Sequence, residues 1–174
     1  MGVWKERSRF GAIDFETADY YRDSACSVAV VRIENGQVVD KFHTLLRPPR
    51  KEFVFTYLHG ITWEMARKAP TFADVWPSLH KLLKGVDFVA AHNASFDRTV
   101  LQACSERAGI FVPDLPFECT VRLAREVFGI YPTKLEDVCR ELRIPLDKHH
   151  DALCDALACA RIVLAARDRR LQPA

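Results

Sequence analysis

The stretch Cys26-Ser-Val-Ala-Val-Val-Arg-Ile33, Glu34-Asn-Gly-Gln37, Val38-Val-Asp-Lys-Phe-His-Thr-Leu-Leu46 decides the fold class. Its first segment is apolar and rich in β-branched residues, the composition of a buried strand. Asn35-Gly36 is a pair that tight hairpin turns favour, so the segment from Val38 to Leu46 is predicted to fold back as a partner strand. Upstream, Phe10-Gly-Ala-Ile-Asp14 is a shorter apolar run of the same kind. Three antiparallel strands therefore open the chain.

Arg47-Pro-Pro-Arg-Lys51 stops that sheet, because proline cannot donate to a ladder. A long polar and aromatic connection follows to about Lys68. Phe72, Val75, Trp76, Leu79, Leu82 and Leu83 then recur at helical spacing, and Gly85 is an end signal before the apolar run Val86 to Ala91, a fourth strand. Further helices are predicted near residues 95–108, 121–128, 135–142 and 149–168, with a short strand near 115–119 and prolines at the breaks. Antiparallel strands first and alternating helices and strands afterwards describe a mixed α/β sheet with helices on its faces.

At 174 residues and 49% hydrophobic, the chain has the size for one compact domain, residues 1–174, with a proper core. Its 25 basic and 23 acidic residues leave a formal net charge of +2, so no global basic field points to nucleic acid and any polyanion site must be local. The six cysteines form no C-x-x-C pair; this argues against a zinc ribbon or redox motif and leaves them as small buried hydrophobes. Met1 to Arg9 is polar, and no window approaches the ~18 apolar residues of a membrane span. A cytoplasmic protein with reduced thiols and no membrane partner is expected. The charged segment Arg167-Asp-Arg-Arg170 reads as a solvated helix end.

Three clusters carry chemistry. In Asp14-Phe-Glu16 the carboxylates project from one side of a strand, since side chains alternate faces. Such a pair is either a solvent-facing strand end or, because it closes an apolar strand, a buried pair that needs a cation. In His92-Asn-Ala-Ser-Phe-Asp97, Asn93 or Ser95 could cap the following helix, and Asp97 is either a first-turn charge or a ligand at the C-terminal edge of the sheet. In Lys148-His-His-Asp-Ala-Leu-Cys-Asp155, helical geometry pairs Asp151 with Asp155 and sets His150 about 140° away. The plainer reading makes Asp151 a helix N-terminal charge and His149 and His150 exposed polar residues.

In order and spacing, Asp14-Phe-Glu16-Thr17, His92-Asn-Ala-Ser-Phe-Asp97 and His150-Asp-Ala-Leu-Cys-Asp155 resemble the three motifs of the DEDDh 3'→5' exonucleases, which include the proofreading epsilon subunit of bacterial DNA polymerase III, ribonuclease T and oligoribonuclease. The resemblance implies a ribonuclease H-like fold whose first three strands form a meander. It implies Asp14, Glu16, Asp97 and Asp155 as ligands of two divalent cations, Mg²⁺ or Mn²⁺, and His150 as general base in place of Asp151. That choice needs His150 to lie in a loop or first turn, free of helical constraint.

The resemblance also implies a free 3' end of nucleic acid held near Glu16 and Thr17. In His59-Gly60-Ile61-Thr62 it makes Ile61 a candidate base contact, with a buried turn as the alternative. Phe15 alternates to the face opposite the ligands and reads as core, and Phe96 as core or a stacking surface; both stand with Asn93 among the candidate substrate contacts. Relatives carry an Asp-Thr pair where this chain has Cys119-Thr120. Phosphate contacts would draw on Arg98, Lys148 or the Arg47 to Lys51 segment, although for any one of these residues a solvated charged surface is the more usual role.

Hydrolysis of single-stranded DNA to 5'-mononucleotides is the expected activity. RNA processing on the same site and a silent binding module are the alternatives. No polymerase partner is expected, since the chain ends near Ala174 without the long extension of epsilon subunits. Some relatives are dimers, which leaves a homodimer open.

Overall fold

A computed structural model describes residues 9–171; Met1 to Ser8, read above for targeting signals, lie outside them. Strand β1 (Phe10–Thr17) pairs antiparallel with β2 (Ala25–Glu34), and β2 pairs antiparallel with β3 (Gln37–Leu45). The hairpin between β2 and β3 turns on Asn35 and Gly36 at φ 51° and 79°, the positive values that such a turn requires of both central residues. Two short helices, α1 (Thr56–His59) and α2 (Trp63–Ala66), break up the long connection. Neither was predicted, because four residues are too few to show a period.

The chain continues through α3 (Phe72–Leu83), β4 (Phe88–Ala91), α4 (Ala94–Ala108), β5 (Phe117–Cys119), α5 (Thr120–Phe128), α6 (Leu135–Leu142) and α7 (Ala152–Leu171). β4 joins the far side of β1 in parallel and β5 joins β4 in parallel, giving the order β3-β2-β1-β4-β5. The mixed α/β sheet is thus as predicted, with β1 at its centre.

Both faces of the sheet are covered. Ile13, Phe15, Val28, Val30 and Val89 pack with Leu79, Leu83 and Val100 from α3 and α4, while Phe10, Ala12, Ala29, Val31 and Ala90 pack with Ala156, Cys159 and Val163 of α7. Alternation along β1 therefore sends Asp14 and Glu16 to the α7 side, beyond Phe10 and Ala12. Gly11 lets α3 approach closely, since a Cβ there would stand 2.9 Å from Leu83 Cδ2.

Two expectations change. Arg167 is not a solvated tail residue: its guanidinium lies 4.7 Å over the Phe10 ring, which stacks on Phe88 at 5.0 Å. This cation–π contact ties the end of α7 to the sheet. Cys119 and Cys154 are only half-buried, whereas Cys26, Cys104, Cys139 and Cys159 are core residues.

Candidate active site

The C-terminal end of β1, the start of α4 and the start of α7 converge on a cavity of about 360 Å³ that Asp14, Glu16, Asp97 and Asp155 line together. Ligand oxygens of Asp14, Glu16 and Asp155 lie within 4.8 Å of one another. Asp97 arrives from the opposite side of the sheet. It is 1% exposed, and its Oδ1 accepts the Phe15 backbone N–H at 3.0 Å, so it is more than a first-turn charge of α4. Among the described residues, Asp14 Oδ2 is a buried polar atom with no hydrogen-bond partner. A buried carboxylate oxygen so placed is costly unless a cation completes it.

The electrostatics agree with that geometry. Burial, and then the charges of Asp155 and Asp97, push Glu16 up to about 8. Burial followed by the neighbouring carboxylates raises Asp14 well above the usual range, and burial also raises Asp97 and Asp155. A carboxyl whose folded pKa exceeds its unfolded one binds extra protons in the native state, so stability falls as pH rises between the two values. His59, His92 and His150 are shifted down from 6.5, first by burial, and they oppose this trend only below 6.5, where the unfolded histidines take up protons. Without metal, the melting temperature should therefore fall from pH 6.5 to 8. Mn²⁺ should raise it more at pH 8 than at 6.5, because ligands must be deprotonated to bind. Paired melts in EDTA and Mn²⁺ check this, and a metal effect that shrinks with pH would contradict it.

The last motif is built around a backbone kink. His150 has φ 64° and precedes α7, so the helical constraint that set it 140° from Asp155 does not apply. Its backbone N–H donates to Asp155 Oδ2 at 3.1 Å. Asp151 caps α7: its Oδ1 accepts the Leu153 and Cys154 N–H groups at 3.1 and 3.2 Å. The sequence-based pairing of Asp151 with Asp155 is therefore replaced by the plainer role at the helix start. Asp151→Ala should cost about 1 kcal/mol of stability and leave turnover within a few-fold of wild type, as denaturant melts and steady-state rates would show.

Two further histidines act as pins. His59 Nδ1 accepts the Ile61 N–H at 3.0 Å, so the neutral ring carries its proton on Nε2, which faces the Thr17 carbonyl at 3.1 Å. His92 Nε2 lies 2.8 Å from the Thr133 carbonyl and its Nδ1 2.8 Å from Thr120 Oγ1, so Thr120 has a role that survives the Cys119 departure. These bonds fix the cavity's two flanking loops to the ends of β1 and β4.

The remaining candidates separate. Thr17, Asn93 and Phe96 line the cavity. Asn93 holds the N-cap position of α4 at φ 62° but makes no side-chain capping bond, contrary to expectation. Phe15 reaches the cavity lining but is 3% exposed and belongs to the core. Ile61 is 7% exposed among Ala18, Cys26 and Ala66, so the buried-turn alternative describes it; Gly60 ends α1 in the left-handed conformation. Leu58, Phe55, Leu135 and His149 line the cavity instead. Arg98 and Lys148 are exposed, whereas Arg50 is committed to Asp19 and Asp23.

A family model described as Exonuclease matches residues 12–163, a span that contains every one of these carboxylates. The chain belongs to the exonuclease family. This exonuclease domain is 30% identical over 162 residues to a DNA polymerase III PolC-type of Thermotoga petrophila. It is 33% identical over 171 residues to the 3'-5' exonuclease DinG of Bacillus subtilis. Those matches cover 91% and 95% of the exonuclease chain but only 12% and 18% of the relatives, so it spans less than a fifth of their length.

Among solved structures it is similar to Exonuclease X in complex with 5' overhanging duplex DNA (TM-score 0.69, 27% identity, 89% of this chain and 90% of that one). It shares its fold with the nuclease domain of 3'hExo, a DEDDh family member bound to rAMP (0.75, 20%, 91% and 90%). The same holds for E. coli Exonuclease I in complex with a dT13 oligonucleotide (0.78, 18%, 94% and 42%). The fold is ribonuclease H-like, and no described helix is long and apolar enough to cross a membrane.

Proposed function

We propose that this domain is a 3'→5' exonuclease that removes 5'-mononucleotides from single-stranded DNA with two divalent cations, Mg²⁺ or Mn²⁺. The observation that carries the reading is the partnerless, buried Asp14 Oδ2 among three other carboxylates. Four oxygen donors that burial has made reluctant to ionise suit hard cations. Asp14, Glu16, Asp97 and Asp155 would hold them. When bound, such a pair supplies Lewis acidity and neutralises charge developing on the phosphoryl and leaving oxygens.

The chain's own residues do the rest. His150, kept neutral near pH 7 by burial and by His149, takes the proton of the attacking water as general base. Glu16 and Thr17 receive the 3'-terminal hydroxyl, and the half-exposed Phe55, Leu58 and Phe96 offer the terminal base an apolar wall. His59 holds that wall against the end of β1 through the Thr17 carbonyl.

The strand class is tested by digesting matched single-stranded DNA, duplex DNA and RNA side by side under Mg²⁺. Single-stranded DNA degraded fastest supports the proposal. RNA degraded preferentially would assign an exoribonuclease on the same residues, and binding without release would favour a silent module.

A further inference from the structure

The turn between β1 and β2, Ala18 to Ser24, touches the cavity's apolar wall at two points. The Tyr20 ring meets Phe55 edge-on with centroids 5.0 Å apart, and the Arg22 guanidinium lies 4.6 Å over the ring of Phe96. Phe55 and Phe96 both line the cavity. Tyr20 is nevertheless 76% exposed, and Arg22 is exposed as well. The wall is thus extended outward by an aromatic ring at one point and by a cation at the other.

The turn that presents them is held firmly. The Ala18 N–H donates to the Ser24 carbonyl at 2.9 Å, and the Ala18 carbonyl accepts the Val54 N–H at 2.7 Å. The buried Ser24 hydroxyl donates to the Tyr21 carbonyl at 2.7 Å, and the Asp19 carboxylate accepts the Tyr21 N–H at 2.8 Å. Arg50 bridges Asp19 and Asp23 and lies 4.6 Å over the Tyr21 ring, while Arg107 holds Asp23 at 3.0 Å. These pairs occupy both acids of the turn. Arg22 enters no ion pair among the described residues, so its charge is left facing solvent at the rim of the site.

A cation and an aromatic ring fixed beside a groove are the parts of a sequence-tolerant single-strand site, the cation for a phosphate and the ring for a base face. Laid on Phe96, the Arg22 side chain has also given up part of its freedom before a ligand arrives, which favours binding. Burial raises Asp97, and the Arg22 charge is among the groups that oppose it. An effect of Arg22 through the metal ligands is therefore the rival to be separated.

We propose that this turn binds the strand on the 5' side of the terminal nucleotide, with Arg22 on a backbone phosphate and Tyr20 against the neighbouring base. Its part in turnover rests on the exonuclease reading; the binding does not.

Two substrates separate the strand from the chemistry. The p-nitrophenyl ester of thymidine 5'-phosphate keeps the terminal nucleotide and the phosphate under attack, but has nitrophenolate where an oligothymidylate has the rest of its strand. The ratio of kcat/KM, oligothymidylate over ester, should fall at least about tenfold in Arg22→Ala, through KM, the scale of one lost charged hydrogen bond. Arg22→Lys should recover part of this, since the charge remains without the planar stack. Tyr20→Leu keeps an apolar contact with Phe55 and should lower the ratio about tenfold, the scale of one lost base stack. With Ca²⁺ in place of Mg²⁺, Arg22→Ala should bind the oligothymidylate more weakly. Its log affinity should fall with log salt on a slope about 0.7 shallower, as for one single-strand phosphate contact.

A ratio left unchanged in Arg22→Ala would overturn the phosphate contact, and one left unchanged in Tyr20→Leu would overturn the stack. Equal losses on both substrates would place Arg22 on the carboxylates through Asp97 instead. If wild type cleaves neither substrate under any metal, while Arg22→Ala still binds more weakly with the shallower slope, the exonuclease reading falls and the strand site stands.

Discussion

Asp14→Asn should abolish Mg²⁺-dependent turnover while leaving the metal-free fold as stable as wild type or more so. The loss should be at least about a thousand-fold, because a Lewis-acid contribution of several kcal/mol is being removed. Stability should move the other way for a separate reason. Asp14 is raised by burial and by the charges of Asp97, Asp155 and Glu16, and its Oδ2 has no partner. An uncharged amide of the same shape relieves that repulsion. Melting curves in EDTA beside turnover in Mg²⁺ check both halves. A variant that is inactive because it is unfolded would contradict the account of why this half-buried carboxylate is tolerated at the cavity.

His150→Asn should lose about 10²–10⁴ in kcat, the usual range for a general base, with Mn²⁺ binding unchanged. Asparagine is the informative choice because the position has φ 64°, which asparagine accepts more readily than alanine, and because the backbone N–H to Asp155 is kept. His150→Ala should lose at least as much, with an added stability cost. With metal held saturating at every pH, so that ligand protonation does not limit the rate, the pH–rate profile of wild type should hold its activity to a pH below 6.5, since burial lowers this imidazole, and that acid limb should be absent in the asparagine variant. An unchanged kcat, or an unchanged acid limb, would remove His150 from the chemistry.

Much of this architecture is legible in the sequence because it rests on periodicities. The β-branched run of β2, the Asn35-Gly36 turn and the helical recurrence from Phe72 to Leu83 each state their conformation locally, and alternation along β1 is enough to put Asp14 and Glu16 on one face. What escapes is set by tertiary contact. The helices α1 and α2 are a single turn each, so the wall built from Phe55 and Leu58 has no period to announce it, and Ile61 in the next turn points into a small core. Arg167 reads as a solvated end until the Phe10 and Phe88 rings are seen beneath it.

The last motif is the clearest case. Helical geometry paired Asp151 with Asp155 because it extended α7 to His149. One positive φ at His150 ends the helix at Ala152, makes Asp151 a cap and turns both imidazoles toward the carboxylates. Only the resemblance carried His150 past that obstacle, and nothing in the sequence singled out His149.

The most direct measurement of the central claim is a time course on a single-stranded oligonucleotide labelled at its 5' end, with Mg²⁺ and with EDTA. The account predicts a ladder that shortens one nucleotide at a time from the 3' end, unlabelled 5'-mononucleotides as product, and no cleavage in EDTA or by Asp14→Asn. Immediate release of the label as a mononucleotide, internal cuts, or cleavage that persists in EDTA would contradict it.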